Sequence, residues 1–105
     1  MVLNEAYENL REQGFTNSYV DFSERWLNKS ARYMSMLRAS GRQPSVDTLA
    51  RFVCNLKFHY DAFKNSPHDI IRLRADWIHP ILTQMNKELL YRAGENNVWR
   101  EQRVQ

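Results

Sequence analysis

The side chains best suited to chemistry in this chain are cations in its middle third. Residues 25–51 contain six basic residues and one acidic residue, which gives this block a charge of +5. Residues 1–24 have a charge of −4, and residues 52–105 a charge of +2. A concentrated positive surface is typical of proteins that bind phosphates, although a solvated basic face has the same composition. The basic residues of the block are Arg25, Lys29, Arg32, Arg38, Arg42 and Arg51.

Other kinds of chemistry find little support. The sequence has no Gly-rich phosphate loop and no nucleophile elbow. Asp61 and Asp69 are expected on helix surfaces rather than in an acidic pair. We therefore expect no catalysis, no cofactor and no metal site. The residues that lack the spacing of metal ligands are His59, His68, His79 and Cys54.

Length and composition limit the class of protein. The 105 residues and formal charge of +3 describe one small domain, too short for a large enzyme with a deep cleft. No apolar run approaches the roughly 18 to 20 residues of a membrane span. The first residues do not resemble a secretory signal, and the single Cys54 cannot form an internal disulfide. A cytoplasmic protein is expected, with Cys54 buried among apolar neighbours.

The elements that must position the cations are predicted to be helices. Three Gly and three Pro are few helix breakers, and no segment alternates long enough to be a convincing strand. The fold class is therefore all-α, with five to six short helices. Apolar spacing and capping residues place them at about 2–13, 19–27, 31–39, 46–64 and, divided by Pro80, 67–78 and 80–92.

The predicted helix ends rest on local chemistry. Gly14 suits a left-handed cap after the first helix. Ser18, Ser30 and Ser45 are candidate N-caps, and Ser66 with Pro67 opens the last helical segment. Residues 94–105 are interpreted as a loosely ordered tail with Trp99 as its one anchor. The predicted core includes Leu3, Ala6, Tyr7, Leu10, Phe22, Trp26, Leu37 and Leu49.

The order of elements in the basic block describes a helix-turn-helix. A short helix, a polar break, a second short helix and a loop that opens a third helix follow one another. Residues 18–56 resemble the helix-turn-helix of the lambda-repressor/Cro-like (XRE-type) regulators. The stretch from Ser23 to Ser30 is one residue longer than is common in that family. Asn28 stands where the family frequently has a turn glycine, and Gly41 lies one position later than the family's loop glycine. The matching residues are Ser30, Ser35, Leu37, Pro44, Ser45 and Leu49.

The resemblance implies roles for eight residues on double-stranded DNA. Arg32 is the strongest candidate for a base contact, because its guanidinium can bind guanine bidentately. Tyr33 and Met36 would instead join the core if the helix were slightly rotated. The base-edge candidates are Arg32, Tyr33, Met36 and Lys29. The phosphate candidates are Ser30, Ser35, Arg38 and Arg42.

The resemblance also implies a dimer and a regulatory role. Residues 1–64 would form the DNA-binding core, and residues 65–93 a C-terminal extension that pairs two subunits. A purely intramolecular core remains the alternative for that extension. The implied protein is a small bacterial or mobile-element repressor. The alternative is a helical protein-interaction module, such as an adaptor, an antitoxin-like partner or a phage-type inhibitor; RNA binding also stays open.

Overall fold

The computed structural model describes residues 2–96, and within this range every regular element is a helix. The all-α prediction is therefore confirmed. The second helix begins as an α-helix (Tyr19–Asp21) and continues into a π-helical turn (Phe22–Trp26), and both parts are called α2 here. The other helices are α1 (Val2–Glu12), α3 (Tyr33–Ser40), α4 (Val46–Lys64) and α5 (Asp69–Asn96).

Helix α1 follows its predicted pattern closely. Its four predicted apolar positions are all buried. Gly14 has a φ of +80°, and its backbone N–H donates to the carbonyl of Arg11 at 3.0 Å. Only a residue without a Cβ adopts this left-handed conformation at little cost, so Gly14 ends the helix as predicted. The chain then turns Phe15 into the core.

One continuous core joins all five helices. The most extensive contact is between α4 and α5, which are connected by the four residues 65–68 and form a helical hairpin. Three aromatic rings pack between α2, which contributes Phe22 and Trp26, and α4, which contributes Phe52. The ring centroids of Phe22 and Phe52 lie 5.3 Å apart, and those of Trp26 and Phe52 lie 6.5 Å apart, both edge to face. The predicted core residues Phe22, Trp26, Leu37 and Leu49 are all buried.

The predicted break at Pro80 is wrong, because α5 runs through it without interruption. Pro80 cannot donate to the carbonyl of Asp76. Both residues are exposed, so water can satisfy the freed carbonyl. The flanking Ile78 and Ile81 are buried, which holds both halves of the helix on the core.

The ends of α5 also differ from the prediction. Helix α5 begins at Asp69 rather than at Pro67, and Ser66 does not cap it. The Ser66 hydroxyl instead accepts from the backbone N–H of His68 at 3.2 Å, which shapes the turn before the helix. Residues 94–96, predicted to belong to the tail, are part of α5. Residues 97–105, including Trp99, lie outside the described residues.

Cys54 is exposed, not buried as predicted. Its neighbours Phe52 and Leu56 are both buried, and they lie four residues apart on one face of α4. A residue midway between two such positions is rotated about 200° from each, so it projects to solvent.

No helix of the described part is long and apolar enough to cross a membrane.

Candidate functional site

The candidate site is built on the irregular end of α2. The backbone N–H of Leu27 donates to the carbonyl of Phe22 at 3.1 Å, a bond that spans five residues instead of four. This wider turn takes up one extra residue without opening the helix. Asn28 follows with a φ of +56°, a left-handed conformation that Asn tolerates better than most residues. The chain therefore leaves the helix at Asn28, the residue that stands where the resemblance expects a turn glycine.

The start of α2 is fixed by a polar cluster. The Ser18 hydroxyl accepts from the backbone N–H of Asp21 at 3.1 Å, so Ser18 caps the helix as predicted. The Asp21 carboxylate accepts from the Thr16 hydroxyl at 2.6 Å and from the Arg25 guanidinium at 2.9 Å. Burial opposes ionisation, but these hydrogen bonds outweigh it and lower the pKa of Asp21. Arg25 also donates to the carbonyl of Phe15 at 2.5 Å.

A buried serine attaches α3 to α2. The Ser23 side chain is fully buried, and its hydroxyl accepts from the backbone N–H of Met34 at 3.1 Å. Met34 lies in the first turn of α3, where backbone N–H groups have no partner within the helix. The Asn55 side chain of α4 donates to the carbonyl of Trp26 at 2.8 Å, which fixes the other end of the turn. The relative position of α2 and α3 is therefore set by hydrogen bonds as well as by packing.

Helix α3 begins later than predicted. Its first residue is Tyr33, its N-cap position is Arg32, and no side chain caps it there. The prediction that Ser30 is the N-cap is wrong, because residues 30–32 form a separate turn closed by the Tyr33 N–H and the Ser30 carbonyl at 3.0 Å. At the other end Gly41, with a φ of +70°, donates to the carbonyl of Leu37 and ends the helix.

The two faces of α3 are clearly different. Met34 and Leu37 are buried in the core. Arg32 and Ser35 are exposed on the opposite side, and Met36 beside them is 63% exposed. Met36 thus lies outside the core, which resolves the alternative that the sequence left open for it. The side opposite the core therefore offers the guanidinium of Arg32, at the N-cap position, with the hydroxyl of Ser35 and the thioether of Met36.

Tyr33 and Lys29 lie at the side of this face. Tyr33 is half-buried and packs against the core, so the structure does not give it the free exposure of Met36. The ammonium group of Lys29 lies 5.6 Å from the centroid of the Tyr33 ring, within the range of a cation–π contact. Ser30 is exposed in the preceding turn. These residues surround the first turn of α3 on its N-terminal side.

Arg38 is held by a residue that the sequence analysis did not single out. Its guanidinium donates to the Tyr19 hydroxyl at 2.5 Å and lies 5.3 Å from the centre of the Tyr19 ring. The Tyr19 hydroxyl in turn donates to the Asn4 side chain at 3.2 Å. Only the position of Tyr19, directly after the cap Ser18, could have drawn attention to it. Arg38 is thus exposed but oriented by an aromatic partner.

The remaining candidate, Arg42, lies in the loop between α3 and α4. It is exposed, and among residues 2–94, whose side chains the structure describes, those of Arg32 and Arg42 have no hydrogen-bond or ion-pair partner. The carbonyl of Pro44 in the same loop accepts from Arg92 of α5 at 2.9 Å. Ser45 caps α4 as predicted, because its hydroxyl accepts from the backbone N–H of Thr48 at 3.1 Å. The loop is therefore anchored at its far end, next to an unpaired cation.

The electrostatics of this region follow from its composition. The 22 residues from 25 to 46 contain five cations and no carboxylate. Lys29 and Arg38 make aromatic contacts that leave their charge uncompensated, whereas Arg25 pairs with Asp21. Such a surface can bind an anion without first losing an internal ion pair.

The histidines are dispersed. Among residues 2–94, no three His, Cys, Asp or Glu side chains come together as metal ligands. The His59 ring is bonded to the carbonyl of Asn55 at 2.8 Å and lies 4.5 Å from the Trp26 ring, so it contributes to packing. Asp61 and Asp69 form intrahelical ion pairs on the surface, as expected, with Lys57 and Arg72 respectively.

Fold and site together define a small all-helical protein with one cationic, helix-based surface. The chain belongs to a family of unknown function (DUF6626), which matches residues 3–100. No curated protein and no solved structure matches it.

Proposed function

We propose that this protein is a small, sequence-specific DNA-binding regulator that inserts the exposed face of α3 into the major groove. The observation that carries the proposal is that α3 has one face buried in the core and an opposite face exposed to solvent. Met34 and Leu37 fix α3 to the core, and Arg32 and Met36 project from the opposite side. An α-helix that packs on the core by one face and exposes the other face from its first turn onward has the shape that the major groove admits.

Irregularities of the turn support the resemblance to the XRE-type helix-turn-helix. The resemblance requires one extra residue between Ser23 and Ser30, and the π-helical turn of α2 contains such a residue. It also requires Asn28 to act as the turn glycine, and Asn28 is left-handed. Two of the three sequence differences therefore fall at the irregular end of α2 and the turn after it, and they leave α3 supported.

Specific roles follow for the cations. Arg32 has no internal partner in the described chain, so its guanidinium is available for bidentate hydrogen bonds to a guanine edge. Met36 would supply apolar contact beside it, with Lys29 and Tyr33 at the margin. Arg38, oriented by Tyr19, and Arg42 would bind phosphates on either side of the groove, with Ser30 and Ser35 as hydroxyl donors.

The regulator is proposed to act in the cytoplasm as a homodimer and a repressor, without enzymatic activity. One α3 presents too few side chains to read a unique sequence, and two related by a two-fold axis double the contacts. A repressor needs no further chemistry, because occupying the operator is sufficient.

Selection of bound fragments from a random double-stranded DNA library tests the proposal. The full chain should enrich one sequence, and its affinity for that sequence should fall steeply as salt rises. Arg38→Ala and Arg42→Ala should each reduce the slope of log affinity against log salt by about 1. Arg32→Ala should cost about 1–3 kcal/mol on the selected sequence and relax the preference at one position.

Arg11→Ala is the matched control, because Arg11 is an exposed arginine on α1 that pairs with Glu8. This variant should bind DNA like the wild type. Failure of the folded protein to retain any DNA at low salt would overturn the proposal.

The alternative, a protein-interaction module, is favoured by one observation. Ile70, Leu73 and Trp77 are exposed along α5, and soluble proteins commonly use such stripes for contact with other proteins. Loss of a stable complex with a second protein on substitution of these residues, in a chain that does not bind DNA, would support this reading instead.

A further inference from the structure

The outer side of α5 carries an apolar stripe that its own domain does not cover. Ile70 is 78% exposed, Leu73 52% and Trp77 45%. The buried residues of α5, among them Ile78 and Met85, lie on a different face, toward α4. The stripe is therefore additional to the core and not a frayed part of it.

The spacing of the stripe is that of a coiled-coil seam. Ile70 and Trp77 are seven residues apart, Leu73 follows Ile70 by three residues and Pro80 follows Trp77 by three, so the four residues follow an a–d–a–d pattern. A surface with this repeat fits another helix, since knobs-into-holes packing needs the same 3.5-residue period on the partner. After Pro80 the corresponding positions are Gln84 and Lys87, which ends the apolar seam.

The charges beside the stripe complement a second copy of the same helix. Asp69 is a g position and Arg74 the e position five residues later. When two such helices run parallel, the g residue of one lies next to the e residue of the other, so Asp69 meets Arg74 twice across the two-fold axis. In an antiparallel pair centred near Leu73, g positions face g positions, so Asp69 would lie opposite Asp76 of the other copy, which is repulsive.

We infer that two copies of this chain associate through a parallel pairing of their α5 helices along the Ile70–Leu73–Trp77 stripe. The Asp69 carboxylate is largely exposed, and Arg74 is exposed beside the rings of Phe15 and Phe63, so both groups are accessible to a partner. A seam of two heptads buries less surface than a standard interface, so we expect a weak dimer that depends on concentration.

A geometric argument, which rests on the proposed function, favours the same orientation. Arg92 anchors the C-terminal part of α5 to the loop that follows α3. Parallel pairing keeps the two anchors at one end of the dimer. Antiparallel pairing centred near Leu73 would separate the two Arg92 residues by about 55 Å along the helices, at 1.5 Å per residue. That exceeds the roughly 34–36 Å between successive half-sites on DNA.

Sedimentation velocity of the full chain over a range of concentrations, without DNA, tests the pairing. The wild type should shift from monomer toward dimer as concentration rises. Leu73→Glu should remain monomeric at every concentration, whereas Leu90→Glu, which alters another exposed leucine farther along α5, should behave like the wild type. Circular dichroism of both variants should show an unchanged helix content.

Charge reversal tests the role of the flanking residues. Asp69→Arg and Arg74→Asp should each weaken the dimer by about tenfold or more, because each places like charges across the seam. The double variant should recover most of the lost affinity. A double variant as weak as either single variant would contradict the charge pairing.

Disulfide formation distinguishes the two orientations. In a Cys54→Ser background, Ile70→Cys and Trp77→Cys should each form a covalent dimer on their own in the parallel arrangement. The two variants can also be mixed. If disulfides form only between an Ile70→Cys chain and a Trp77→Cys chain, the helices are antiparallel and the inference is overturned. A wild type that stays monomeric, or a dimer that survives Leu73→Glu, would overturn it as well.

These measurements contain no DNA, so their outcome is independent of the DNA-selection experiment. A dimer that binds no DNA would contradict the proposed function and leave the pairing intact. A monomer that binds DNA would overturn the pairing and the proposed homodimer, and would leave only the proposed DNA binding by α3 intact.

Discussion

The two surfaces that this chain presents, the α2–α3 segment and the outer side of α5, differ in how they are built. The first is made of short, irregular helices whose positions depend on polar side chains such as Ser18 and Ser23. The second is one face of a 28-residue helix whose inner face packs on the core through apolar residues such as Ile78 and Met85. One surface exposes cations, and the other exposes Ile70, Leu73 and Trp77.

The difference teaches which partner each surface can accept. Short helices joined by tight turns place charged groups at separate points in space, which suits a ligand with separated anionic groups. A long helix repeats one side-chain type along a line, which suits another helix. Both surfaces lie on one core, but the residues that they expose are not among the residues that build it, so recognition can be altered at either surface without changing the core.

The largest expected effect compares two tryptophans. Trp26 is buried beneath the candidate site, and Trp77 is 45% exposed on the stripe. Trp26→Ala should reduce the free energy of unfolding by about 3–5 kcal/mol, because it leaves a cavity beside Phe22 and Phe52. Under conditions where the protein is monomeric, Trp77→Ala should reduce the free energy of unfolding by well under half of that amount.

Chemical denaturation of dilute samples measures both variants. Equal losses would mean that α5 contributes to monomer stability as strongly as the aromatic cluster does, and the comparison between the regions would fail. Concentration dependence of the Trp77→Ala effect would in turn report on the α5 pairing.

The next effect concerns the hydrogen bond between α2 and α3. Ser23→Ala removes the acceptor for the Met34 N–H and leaves this donor buried, at a cost of about 1–3 kcal/mol. Ser35→Ala is the matched control, because Ser35 is exposed on α3 and should change stability by less than about 0.5 kcal/mol. Hydrogen exchange of the Met34 amide should also accelerate in Ser23→Ala, and unchanged protection would contradict the assigned bond.

Features governed by nearby residues were largely predictable from the sequence. The cap at Ser45 and the glycine end of α1 each depend on residues within one helical turn, and both are confirmed. The face of α1 follows equally from apolar spacing. Such local rules use information that is contiguous in the chain.

Errors arose where packing between distant segments decides the outcome. The core residues Ile78 and Ile81 hold both halves of α5 on the core, and the helix continues through Pro80 although the local rule predicts a break. The π-helical turn depends on anchors outside α2, including Asn55 of α4. Arg38 could be selected from charge alone, but its orientation by Tyr19 joins residues 19 positions apart. None of these contacts has a signature in local sequence.

The turn itself allows a smaller test. Asn28 has a φ of +56°, so Asn28→Ala should cost about 1 kcal/mol, whereas Asn28→Gly should change stability little because glycine adopts this conformation readily. Thermal unfolding measures both variants. A glycine variant as unstable as the alanine variant would show that the Asn side chain, rather than its backbone conformation, is required.

The smallest effect is the pH dependence of the cluster at the start of α2. The hydrogen bonds from Thr16 and Arg25 lower the pKa of Asp21 against the opposing effect of burial. A carboxyl group whose pKa is lower in the folded state stabilises that state above its unfolded pKa of about 3.9, and this contribution is lost as the pH falls through the folded pKa. Urea unfolding of the wild type and Asp21→Asn should therefore differ most near neutral pH, and the difference should shrink below about pH 4. Asp61→Asn is the control at an exposed carboxylate paired with Lys57, and its stability should follow that of the wild type closely across the pH range. A difference between Asp21→Asn and the wild type that stays constant with pH would mean that the charge of Asp21 does not stabilise the helix start.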